Sequence, residues 1–132
     1  MLVLRRVLKL QALLWVMGSL PEVVAPRWFL VTVFQQAEYP DYAYVRSMGI
    51  MCVGFALMMV LVAQRLEVVW WWAWAFAVIN CALATVCALT AMFGASEGSA
   101  TLYWWILAGT NAAFAALLML GLGRASQENP QV

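Results

Sequence analysis

Two long uncharged runs stand almost back to back in the middle of the chain, with only Arg65, Leu66 and Glu67 between them. The first opens after Arg46 and reads SMGIMCVGFALMMVLVAQ as far as Gln64. The second reads VVWWWAWAFAVINCALATVCALTAMF from Val68 to Phe93. As a helix, either run reaches across about 30 Å of hydrocarbon. Inside lipid every backbone N–H and C=O must find a partner within the protein, and a helix does this within one segment. Two spanning helices joined by so short a link must run antiparallel and side by side.

Two further apolar stretches flank this pair. The expected spans are residues 7–24, 44–64, 69–92 and 101–122, within one transmembrane unit of residues 1–125 followed by a polar tail, 126–132. The fold class is therefore an all-α integral membrane four-helix bundle. Composition agrees: of 132 residues, 67% are hydrophobic and 10% charged, against about 25% charged in ordinary soluble domains. A soluble fold of this size has no interior large enough for that much apolar surface. The N-terminus, with Arg5, Arg6 and Lys9 before LQALLWVMGSL, imitates a secretory leader. The following PEVVAP has no small-x-small cleavage pattern, so the segment reads as an uncleaved first helix.

Between the first two spans lies a segment, 26–43, whose period decides between neither helix nor strand. RWFLVTVFQ is too short to span and reads as an interfacial helix, a re-entrant piece or an extended cover. QQAEYPDYAY reads as an interfacial loop, with Tyr39, Tyr42 and Tyr44 at headgroup level. Trp70, Trp71, Trp72 and Trp74, and later Tyr103, Trp104 and Trp105, form aromatic belts. Gly94 to Ala100 is a polar turn.

Four spans put both termini on one side, with Arg5, Arg6, Lys9, Arg65 and Arg124; the other side holds Arg27 and Arg46. This asymmetry favours cytoplasmic termini in a bacterial inner membrane. Segment 26–43 then faces outward.

Small residues recur along two spans: Ala73, Ala77, Cys81, Ala84 and Ala88 on the third, and Gly109, Ala112, Ala113 and Ala116 on the fourth. Such faces suit close helix packing, within one chain or between chains. The methionines Met48, Met51, Met58 and Met59 read as adaptable filling. Cys52, Cys81 and Cys87 fall inside spans, form no C-x-x-C, and read as buried apolar side chains.

Polar candidates are few. Externally, Glu22, Arg27, Glu38, Asp41 and Arg46 form a cluster in which Glu22 and Arg46 share a depth and are expected to pair. This cluster reads either as a structural ion pair or phospholipid contact, or as a shallow site for an anionic or quinone headgroup with Arg46 donating. Within the membrane, Asn80 and Asn111 are expected to hydrogen-bond across helices. Thr85, Thr90 and Thr110 satisfy themselves on preceding carbonyls.

No catalytic residue, metal site or cofactor is expected. The chain has no histidine, and its interior spans lack the tuned acid–base group that catalysis needs. A net charge of +1 is far too small for a nucleic-acid footprint.

Pro21 or Pro26 after the first helix, an external segment, and Arg46 with Gly49 opening the second helix give the chain a family likeness. In this layout it resembles the DoxX-like group of small four-helix bacterial membrane proteins. That resemblance implies a structural or headgroup-site role for Arg46 and Gly49, and a link to quinone or thiol redox systems. The expected function is a non-enzymatic membrane accessory or scaffold protein, in a homo-oligomer or larger complex. The alternatives are a small transporter or lipid- or quinone-binding protein with an external polar site, and a part in a membrane redox system.

Overall fold

The computed structural model describes residues 1–94 and 97–128. Its described residues form four long helices, each apolar and long enough to cross a membrane: α1 (Leu2–Val24), α2 (Ala43–Gln64), α3 (Leu66–Gly94) and α4 (Leu102–Glu128). The chain is an integral membrane four-helix bundle.

Local chemistry sets the ends of these helices. Pro26 disfavours helical geometry at the residue before it, and Ala25 duly leaves the helix at φ −139°, ψ 60°. A short π-helical stretch, Trp28–Val33, follows, so the first half of segment 26–43 is helical. Beyond Phe34 the chain is irregular until the Asp41 carboxylate accepts the Ala43 N–H at 3.0 Å and starts α2. At the other end of α2, the Arg65 carbonyl accepts from Val68 and Val69 and so opens α3 at once. Leu66, fully buried, pins that turn. Helix α3 is not uniform: a tight 3-10 turn covers Trp70–Trp72 and a π turn covers Thr90–Gly94.

Packing follows the two hairpins. Helices α1 and α2 pack along one another, as do α3 and α4, and α1 also meets α4. Helix α2 touches α3 mainly along residues 66–72, near their shared turn. Two glycines mark close approaches. A Cβ on Gly49 would meet Val23 Cγ2 at 2.8 Å and the Ser19 carbonyl at 3.1 Å, and one on Gly121 would meet Leu4 at 3.1 Å. The common core combines Leu4, Leu8, Met59, Phe76, Phe114 and Leu118.

Several boundaries differ from the sequence reading. Helix α1 begins at Leu2 rather than near residue 7, because Leu4 and Leu8 are core residues and Arg5 is held by Glu67 on α3. Helix α4 continues through 126–128 of the expected tail; residues 129–132 lie outside the described residues, as do 95–96 of the expected turn. The small residues are divided differently too. Ala73 and Ala77 are buried, but Cys81, Gly109, Ala112, Ala113 and Ala116 face out of the bundle. Among the cysteines only Cys87 is buried; Cys52 is half-buried and Cys81 is exposed.

Candidate functional site

The end of the bundle away from the termini is closed by a clasp between two loops. Gln36 is buried; its Nε2 donates to the Ala100 carbonyl at 2.8 Å and to the Phe34 carbonyl at 3.0 Å. The Ala100 N–H donates to the Gln35 carbonyl at 3.1 Å, and the Ala37 N–H to Ser99 Oγ at 3.0 Å. Gln35 takes the left-handed conformation, φ 50°, to make this turn. A run of rings, Phe29 to Phe34 to Tyr103 to Trp104, with centroids 4.7–5.2 Å apart, ties the loop to α4.

Beneath this clasp, polar groups from all four helices converge. Glu22, in the last turn of α1, receives the Tyr103 hydroxyl of α4 at 3.4 Å. Cys52 of α2 lies beside Ser19 and near Glu22. Cys87 of α3 and Tyr39 of the α1–α2 connection lie near Tyr103. Gly49 makes this possible, because its missing side chain lets α2 close on Ser19, Glu22 and Val23.

The predicted external cluster is only partly gathered here. Arg27 pairs instead with Glu38 at 2.7 Å, both exposed. Asp41 serves the start of α2. Arg46 points outward and forms no ion pair among the described residues. The expected Glu22–Arg46 pair is therefore not formed, and Glu22 has no basic partner among the described residues. Arg46 lies one turn before Gly49, about 60° round the same helix, and its side chain is exposed instead of turned to Glu22.

Asn80 and Asn111 do not bond across helices either. Each amide nitrogen donates within its own helix, to Phe76 O at 2.7 Å and to Leu107 O at 2.8 Å. Since those partners are carbonyls, the nitrogen must face them and the side-chain oxygen is left unpartnered. Thr85 and Thr90 bond to the preceding-turn carbonyls, both at 2.9 Å, as expected of them.

Tyr103, Gln36 and Gln11 carry weight that the sequence reading did not assign. For Gln11 a signal existed: Leu4, Val7, Leu8 and Gln11 recur at spacings of three and four, which places it on a buried stripe. For Tyr103 and Gln36 none did, since both take partners from distant segments.

Among the described residues no three His, Cys, Asp or Glu side chains are placed to hold a metal ion. The molecule is membrane-embedded and shows no obvious catalytic motif. No protein-family model, no curated protein and no solved structure matches the chain. Its layout is consistent with a DoxX-like topology.

Proposed function

We propose that the chain is a non-enzymatic binding protein of the membrane, taking the headgroup of a small amphiphile at Glu22. One observation carries this reading. A carboxylate in the last turn of a spanning helix is turned inward to Tyr103 of α4 and Cys52 of α2, and has no basic partner among the described residues. An ionisable side chain in that position is costly and by default marks a ligand or ion path.

The chemistry of the cluster narrows the ligand. A quinone offers only acceptors, and its natural donor in the sequence reading, Arg46, is exposed and makes no pair with Glu22. Glu22 accepts hydrogen bonds, so a headgroup rich in donors, an amine or ammonium, complements it better. Aromatic rings at Phe34, Tyr103 and Trp104 add faces that attract a cation. Weak contact between α2 and α3 beyond residue 72 leaves that side of the bundle least closed, and an amphiphile in the external leaflet would enter there.

The test is equilibrium binding of a radiolabelled primary alkylammonium, hexylammonium, to the protein in nanodiscs, with empty nanodiscs as the background. Saturable binding is expected, weakened about tenfold or more by Glu22→Gln, equivalent to roughly 1.4 kcal/mol. Equal binding by the two proteins would remove Glu22 from the ligand site.

The accessory-protein reading stands second. It is favoured by the outward direction of Gly109, Ala112, Ala113 and Ala116 on α4, which no helix among the described residues covers. On that reading the stripe meets a helix of another membrane chain, and the termini face the cytoplasm of a bacterial cell.

A further inference from the structure

The terminal end of the bundle carries unpaired positive charge. Its acids are engaged: Glu67 by Arg5, and Glu128 by the Met1 amine at 2.6 Å. Arg6, Lys9, Arg65 and Arg124 form no ion pair among the described residues. One of these cations adjoins an apolar groove between α2 and α3, lined by Met58, Leu61, Val62, Val69 and Trp72, with Arg65 at its end. Met58 and Arg65 are about two helical turns apart, so the groove extends roughly 10 Å from the turn into the hydrocarbon.

We infer that this groove binds an anionic phospholipid. The acyl chain lies along Met58, Leu61 and Val69, and the phosphate meets the Arg65 guanidinium. The argument is complementarity at both ends of one molecule. A trough with almost no polar lining excludes a free anion, and an unpaired guanidinium at an interface favours phosphate, which it can hold through two parallel N–H bonds. The ring of Trp72 suits the boundary between the two regions. Arg6, Lys9 and Arg124 add a positive field at the same end that favours anionic over zwitterionic lipid. This site is at the opposite end from Glu22 and does not depend on it.

Native mass spectrometry of protein released from nanodiscs of equal phosphatidylglycerol and phosphatidylcholine tests the inference. Retained lipid should be mostly phosphatidylglycerol. Arg65→Gln should lower that preference about fivefold, the factor that one interfacial arginine supplies, whereas Arg65→Lys should keep most of it. Leu61→Trp, which fills the groove without changing charge, should lower retention as well. Arg124→Gln, which removes the same charge away from the groove, should lower it by a clearly smaller factor, its share of the diffuse field. An equal loss in Arg65→Gln and Arg124→Gln would reduce the effect to diffuse charge and overturn the site. Undiminished retention in Leu61→Trp, or displacement of the lipid by excess inorganic phosphate, would overturn it too.

Discussion

Gln11 sits mid-way along α1 with 0% of its surface exposed, and neither its amide nitrogen nor its oxygen has a partner. Asn80, also 0% exposed, and Asn111, at 7%, each leave an oxygen unpartnered. Gln11 and Asn111 lie close in depth. Leu4 against Gly121 and Glu22 against Tyr103 set residue 11 opposite residue 114 or so, about one turn from Asn111. An unsatisfied buried amide costs about 1–3 kcal/mol, whereas an apolar group of the same shape costs nothing comparable. Gln11→Met, which nearly conserves volume, should therefore raise stability by about 1–2 kcal/mol, seen as a higher melting temperature in mild detergent. A lower melting temperature would mean that Gln11 has a partner, such as a trapped water joining it to Asn80 or Asn111.

At the scale of helices, glycines separate packing from mere tolerance. Gly49 is pressed against α1 by Val23 and the Ser19 backbone, whereas Gly54, one and a half turns on, has nothing within 4 Å of where a Cβ would stand. Gly49→Ala must push the two helices apart, and overpacking of this kind costs about 1–3 kcal/mol. Gly54→Ala meets open space and should be neutral or gain up to about 1 kcal/mol from helix propensity. Thermal unfolding of the two variants side by side measures the contrast; equal effects would contradict the close crossing of α1 and α2. The existence of each helix was legible in the sequence, because an apolar run of that length is enough in lipid even where, as in α1, Lys9 and Glu22 stand near its ends. The direction each helix faces was not. Lipid tails are as apolar as a leucine core, so hydropathy offers no contrast between the buried Ala77 and the outward Ala112. The early start of α1 was hidden for a related reason, since Arg5 is stabilised by Glu67, which lies far along the chain.

The whole molecule has two distinct ends, and the order of the spans already assigned each loop to one of them. What the sequence concealed was how the ends are fastened. The Gln36–Ala100 clasp joins polar residues from loops that each read as ordinary connections. Likewise the cluster at Glu22 takes a tyrosine, a serine and two cysteines that looked, one at a time, like packing or belt residues. The arrangement can be checked with single cysteines in a background where Cys52, Cys81 and Cys87 are replaced. With the termini in the cytoplasm, as proposed, an impermeant maleimide on intact cells should label Ala37→Cys, and Gln64→Cys and Gln127→Cys only after permeabilisation. Labelling of Ala37→Cys and Gln127→Cys from the same side would break the four-span arrangement.

The fastenings also differ in kind. Across the termini they are ion pairs at the surface, Arg5 with Glu67 and the Met1 amine with Glu128, and dissolved salt screens such pairs. Between the two connections at the far end they are uncharged hydrogen bonds, which ionic strength leaves nearly untouched. Brine would therefore slacken the seam between the chain ends and the α2–α3 turn and leave the loop-to-loop clasp at the far end shut, since the exposed Arg27–Glu38 pair there lies within one connection and does not join the two.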